Sequence, residues 1–164
     1  MSWICDTGPV IALAKLERLD ILASTRHGPP LIPPAVRREL LAKVGPEAEA
    51  IDQALQGLLR VQEPPAPSFE AESAAAVLDR GEREVILLAA SLGGEGIVLM
   101  DDQAGRRVAR QLDLPVVGTA GLSLLAKAQG QVQAVAPLLA ALRDRGYWLS
   151  DALVAEVRRR AGEA

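Results

Sequence analysis

Asp6, Glu39, Glu82, Asp101 and Asp102 are the residues of this sequence best placed to do chemistry together. Asp6 follows the apolar run Trp3-Ile4-Cys5, and the Asp101-Asp102 pair follows Ile97-Val98-Leu99-Met100. Acids placed where buried strands stop lie at the carboxyl edge of a sheet, which is where open parallel sheets build their sites. Glu82 shares a helical stripe with Val85 and Ala89, and Glu39 borders the apolar face formed by Val36 and Leu40. Gathered carboxylates repel one another and are costly to desolvate. A divalent cation removes that conflict, and an all-oxygen donor set suits Mg²⁺ or Mn²⁺. Such a centre can activate water and stabilise the leaving oxygen of a phosphodiester.

Each acid taken singly has a plainer explanation. An aspartate after a strand can cap the next helix, which would account for Asp6 or Asp102. Glu82 near a helix start suits the helix dipole, and Glu39 reads equally as a surface acid. Glu84 is offset from the Glu82 stripe and is secondary, while Glu17, Asp20, Asp79 and Glu156 read as solvated acids. Convergence of acids from separate segments is what favours a site. Thr7 and Thr119 are placed to bond a metal-bound water or a phosphate, or to cap helices. Arg106 and Arg110 share a helix face, where they either contact phosphates or keep the helix solvated.

The elements that must hold these groups alternate strand with helix. Short apolar runs at 3–5, 31–32, 58–62, 97–100 and 114–117 read as strands. Helical spacing runs through Val10, Leu13, Leu16, Leu19 and Leu22, opened by Pro9. Further helices are expected from Pro34 to Val44, then over 47–59, 70–78 and 82–92, and around Val108 and Leu112. Residues 120–128, 132–145 and 151–160 complete the helical set. This alternation predicts βαβ units around a parallel sheet, an α/β fold.

Bulk properties bound the function. A chain of 164 residues suits one domain, here residues 1–164 with a helical extension over 120–164. Aromatics make up 2% against 49% hydrophobic, so the core must be aliphatic. A net charge of −3 gives no general basic footprint for nucleic acid. Cys5 is the single cysteine and sits in an apolar run, which reads as an inert buried thiol. His27, the single histidine, falls in a turn where exposure is expected. No stretch is apolar enough to span a membrane, and the protein is expected in the cytoplasm.

The ordered motifs resemble those of PIN-domain nucleases over most of the chain. Asp6-Thr7-Gly8-Pro9-Val10-Ile11-Ala12-Leu13 is similar to the family's opening block. Ile32-Pro33-Pro34-Ala35-Val36 with Glu39-Leu40 resembles its second, and Gly81 to Ala89 its third. Leu99-Met100-Asp101-Asp102 with Gly105-Arg106-Arg107 resembles the fourth, and Pro115 to Thr119 the last strand and its hydroxyl residue. The resemblance implies a three-layer α/β/α sandwich with a mostly parallel four- or five-stranded sheet. It also implies a metal-dependent ribonuclease, commonly the toxin of a toxin–antitoxin pair. By position, Asp6, Glu39, Glu82 and Asp101 are its acidic quartet, with Asp102 a competing metal ligand. An RNA substrate, an antitoxin protein and a homodimer using the helix faces of residues 10–22 or 36–55 are the expected partners. Glu82 stands where many members have aspartate, and Gly8 where serine or asparagine is common. A non-catalytic PIN-like module binding nucleic acid or protein is the alternative. A phosphohydrolase with an aspartyl-phosphate is disfavoured, because Gly8 stands where its second aspartate would be.

Overall fold

Ile4, Cys5, Val98 and Leu99 are fully buried, as strands covered on both faces should be. They belong to β1 (Ser2–Cys5) and β4 (Gly96–Leu99), which pair in parallel from Ser2↔Gly96 to Cys5↔Leu99. The computed structural model describes residues 1–23 and 28–164. Three two-residue strands complete the sheet: β2 (Leu31–Ile32), β3 (Arg60–Val61) and β5 (Val116–Val117). The order is β3-β2-β1-β4-β5, and every pairing is parallel. The chain winds outward from β1 through β2 to β3, then restarts on the other side at β4. The β1–β4 seam is therefore the topological switch point; Asp6 follows β1 directly, and Asp101 follows β4 after Met100.

The helices are α1 (Thr7–Lys15), α2 (Pro34–Leu41), α3 (Ala48–Gly57), α4 (Phe69–Ala75) and α5 (Arg80–Ser91). They continue with α6 (Gln103–Gln111), α7 (Thr119–Ala128), α8 (Ala136–Asp144) and α9 (Asp151–Arg160). Side-chain caps start several of them. Ser68 accepts from the Ala71 amide at 3.2 Å, and Ser150 from that of Leu153 at 3.1 Å. Among the described residues no helix is long and apolar enough to cross a membrane.

Two helices differ most from the sequence expectation. The helix predicted through Leu22 stops at Lys15, Glu17 turns to φ +56°, and a 3-10 turn covers Leu19–Leu22. Ile21 and Leu22 still reach the core, so the leucine spacing persists although the backbone breaks. The helix predicted from residue 132 starts at Ala136. There Glu163 accepts from the Val135 amide at 2.8 Å and the Ala136 amide at 2.9 Å, and takes Lys127 Nζ at 2.7 Å. His27, with residues 24–26, lies outside the described ones.

The core is aliphatic, as the composition required. Trp3 is 2% exposed, while Phe69 and Trp148 are 86% and 82% exposed. Each fully buried Leu, Ile or Val in it contributes roughly 1.5–3 kcal/mol. Two glycines allow close approach. A Cβ on Gly96 would lie 2.7 Å from Ile4 Cδ1, and one on Gly105 would lie 2.1 Å from Met100 Sδ. Gly105 thus lets α6 settle against the residue that precedes Asp101. A second, smaller cluster joins Ala12 and Ala120 to Leu139, Leu142, Leu149 and Val157, and Tyr147 packs on it. It fixes α7, α8 and α9 against α1.

The helices expected to meet a second chain also serve this chain's own core. Val10, Leu13, Val36, Leu40 and Ile51 are buried in this chain's own core. Exposed apolar groups near them are Leu41 and Val44, at 49% and 83%.

Candidate active site at the switch point

Asp6 stands at the cap position of α1 with extended backbone, φ −78° and ψ 165°, yet its side chain makes no capping bond. The plain explanation for an aspartate there therefore does not apply. It applies to two other acids. Asp102 Oδ2 accepts from the Gly105 amide at 2.8 Å and caps α6. Asp79 Oδ1 accepts from the Glu82 amide at 2.9 Å and caps α5. Residue type alone did not separate these roles.

Burial pushes the Asp6 carboxyl up to about 7, opposed by the Thr7 amide and reinforced by the charges of Glu39, Asp79 and Asp101. Glu82, on the first turn of α5, is likewise raised to about 7. Its causes are burial, then the charges of Asp79, Asp102 and Asp6, then a hydrogen bond with Asp79. The acids predicted at separate places in the chain thus act on one another across one sheet edge.

Glu39 comes from α2 and is exposed. Its Oε2 accepts from the Thr7 hydroxyl, which ties α2 to the start of α1. Its carboxylate lies over Gly81, where a Cβ would stand 2.5 Å from Oε1. Gly81 therefore keeps Glu39 beside the turn that carries Glu82. Glu84 faces elsewhere and accepts from the Ala35 amide at 2.8 Å, capping α2.

Asp101 is held from the opposite flank. Its Oδ1 accepts from the Thr119 amide at 2.7 Å, and its Oδ2 from the Thr119 hydroxyl at 2.6 Å and from the Tyr147 hydroxyl. Burial and the Asp101 charge raise the Tyr147 phenol, so it stays a donor at neutral pH. Gly118 makes room: a Cβ there would lie 2.8 Å from Asp101 Oδ1 and 2.4 Å from Arg106 Nη1. Arg106 thus reaches the Asp101 end of the site, while Arg110 lies one turn further along α6 and is exposed. Among the described residues neither forms an ion pair. Burial pushes the Cys5 thiol up, so it stays protonated behind Asp6.

Two residues here were missed. Asp79 read as solvated, although Asp79-Arg80-Gly81-Glu82 has the spacing of a capping box. Tyr147 carried one signal: it is the single tyrosine of a chain poor in aromatics.

The donor set suits a hard cation. It consists of carboxylates, and two of them are raised because their charges are confined together. Among the described residues no three or more aspartate, glutamate, cysteine or histidine side chains lie together so that they could hold a metal ion. The arrangement fits an ion held by one or two carboxylates and completed by water, as Mg²⁺ commonly is.

No curated protein matches the chain. A family model described as a PIN domain matches residues 2–163. With the parallel order β3-β2-β1-β4-β5 and acids at its switch point, the chain belongs to the PIN-domain family, whose fold is of the nuclease type.

Proposed function

We propose that this protein is an endoribonuclease that hydrolyses RNA phosphodiester bonds with Mg²⁺ or Mn²⁺. The observation that carries the reading is Asp6: it begins a helix without capping it, and burial, reinforced by the acids around it, lifts its carboxyl to about 7. A group held at that cost in stability is a candidate for function. Asp6, Glu82 and Asp101 would hold the metal, directly or through water. When bound, the metal supplies a water of lowered pKa and positive charge for the leaving oxygen. Glu39, steadied by Thr7, orients the attacking water. Arg106 and Arg110 hold the phosphate on the Asp101 side, and Thr119 fixes Asp101 for that contact.

The test uses purified protein, a labelled RNA and Mn²⁺. Cleavage that disappears in chelator and in Asp6→Asn is expected. Intact RNA with the native protein, or undiminished cleavage by Asp6→Asn, removes the reading. A toxin's role, cytoplasmic and restrained by an antitoxin, belongs to the same proposal. A small adjacent reading frame with a DNA-binding pattern would support it.

A second reading draws on Asp101. Both its oxygens already accept hydrogen bonds, as a purely structural carboxylate's would. On that reading the protein is a non-catalytic module binding nucleic acid or protein. Manganese titration separates the two, since a catalytic site binds Mn²⁺ and loses it in Asp101→Asn.

A further inference from the structure

The start of α2 has no cap of its own. Pro33 occupies the cap position with extended backbone, φ −78° and ψ 165°, and has no side-chain acceptor to offer. Pro34 follows as the first helical residue and has no N–H. Bonding within the helix starts with the Arg37 amide, which donates to the Pro33 carbonyl at 3.1 Å. The first amide of α2, that of Ala35, must therefore find its acceptor elsewhere. It finds one on another helix: Glu84 Oε2, from α5, accepts it at 2.8 Å.

The other oxygen of Glu84 is engaged too. Oε1 accepts from Arg80 Nε at 3.4 Å and stands 3.9 Å from Arg38 Nη2. Arg80 lies on α5 and Arg38 on α2, so one carboxylate is clasped from both helices. The positive end of α2 adds to the attraction. Only 17% of the Glu84 side chain is exposed.

Both ends of this contact lie next to acids of the candidate site. Glu84 is two residues beyond Glu82 on α5, and Ala35 is four residues before Glu39 on α2. Residues four apart stack on one face of a helix, so Glu39 stands one turn along from Ala35 on the side that meets α5. There its carboxylate lies over Gly81, the residue before Glu82. α2 is thus set on α5 at two points a turn apart. The first is a hydrogen bond to a charged acceptor. The second is a close fit that Gly81 permits. Without the bond the start of α2 is free to tilt, and Glu39 moves with it. A displacement of about 1 Å at a reacting centre can cost about 10²-fold in rate.

We infer that Glu84 is a positioning residue of the reaction: by holding the Ala35 amide it sets α2 on α5, and so sets how far Glu39 stands from Glu82. Its effect on cleavage rests on the endoribonuclease reading; its effect on the place of Glu39 does not. Glu84 acts with no contact of its own to metal or RNA.

Two conservative variants separate the bond from the charge. Glu84→Gln keeps an acceptor of the same reach and loses the charge. Glu84→Asp keeps the charge and is one methylene too short for the amide. Glu84→Gln should cleave RNA at close to the native rate, and Glu84→Asp should lose about 10–100-fold. The loss should fall on kcat, with KM for RNA unchanged. Ser68→Ala removes a cap of the same kind from α4, which carries none of the site's acids. It should melt as low as Glu84→Asp yet cleave like the native protein. A second readout does not use activity. In protein labelled at its glutamate carboxyl carbons, the Glu39 signal is assigned by its loss in Glu39→Gln. That signal should move in Glu84→Asp and stay in place in Glu84→Gln and Ser68→Ala. A native rate in Glu84→Asp, an equal loss in Glu84→Gln, or an equal loss in Ser68→Ala would overturn the inference. So would an unmoved Glu39 signal in Glu84→Asp. Native protein that leaves RNA intact, with a Glu39 signal that moves as expected, would uphold the placement of Glu39 and remove the nuclease reading.

Discussion

Asp6 and Asp101 occupy corresponding places, each just beyond the end of a central strand, yet their surroundings are opposite. Asp101 accepts three hydrogen bonds from Thr119 and Tyr147, residues of the C-terminal half of the chain. Asp6 is half-buried, makes no capping bond and is crowded by Glu39, Asp79 and Asp101. One aspartate is positioned by donors, the other by the fold around it. Position on the sheet edge therefore does not decide a carboxylate's state; the supply of donors does. The Asp6 side, with Glu82, is where an added positive charge would relieve most.

The largest expected effect breaks the comparison at Asp6. Asp6→Asn removes the confined charge, and cleavage should fall by roughly 10²–10⁴-fold, the usual scale for a directly acting group. At pH 8 the metal-free variant should also melt higher than the native protein. Loss of activity together with a lower melting temperature would mean that Asp6 serves the fold instead.

The pH dependence of stability comes next. The ordinary value for aspartate is 3.8, and Asp6 is lifted to about 7. Between those values the folded chain keeps a proton that the unfolded chain has released. Stability of the metal-free protein should therefore be greatest near the lower bound, fall as pH rises toward 7, and level off above it. Glu82 adds to the same slope. Manganese at about 100 times its dissociation constant should restore about 2.7 kcal/mol at pH 8. Denaturant titrations across the window measure both; a stability that climbs with pH would contradict the crowding of Asp6.

Tyr147→Phe tests the opposite flank. It deletes one donor to a charged acceptor, and a stability loss of about 1.5–3 kcal/mol is expected. Because the partners that orient a ligand tune its metal affinity, Mn²⁺ binding should weaken by roughly tenfold. Calorimetric titration checks this; tighter binding would identify Tyr147 as a competitor for Asp101 rather than its support.

The smallest effect separates the acidic doublet. Asp102→Ala should cost about 1 kcal/mol as the cap of α6 is lost, with metal affinity nearly unchanged. Asp102→Asn should cost less still, since asparagine caps as well. A metal affinity that collapses in Asp102→Asn would reverse the roles of the two residues.

Much of the frame was legible in the sequence. Continuous apolar runs at β1 and β4 stop at acids, and that alone placed Asp6 and Asp101 on one edge. The break after α1 was hidden because Leu19 and Leu22 keep helical spacing while Glu17 leaves the helix. Tyr147 meets Asp101 across 46 positions, and no local pattern encodes such a contact. The roles of Asp6 and Asp102 were equally hidden, because a capping and a non-capping aspartate look identical until the backbone amides are placed. Apolar spacing on the helices expected to meet a second chain could not tell core positions from partner-facing ones, and Val10, Leu13, Val36, Leu40 and Ile51 fill this chain's own interior.

Glu163 joins Lys127 on α7 to the first amides of α8, and neighbouring arginine holds its segment too: Arg158 Nη2 reaches the Glu163 carbonyl at 3.0 Å. The bonds from Lys127, Val135 and Ala136 lower its carboxyl to about 2. One glutamate thus works as a latch across three helices whose far ends carry Tyr147 and Trp148. In hydrogen-exchange terms, the amides of Val135 and Ala136 should open as a unit with residues 161–163. Unfastening that latch would slacken the wall beside Asp101 from a distance, without touching a single acid of the site.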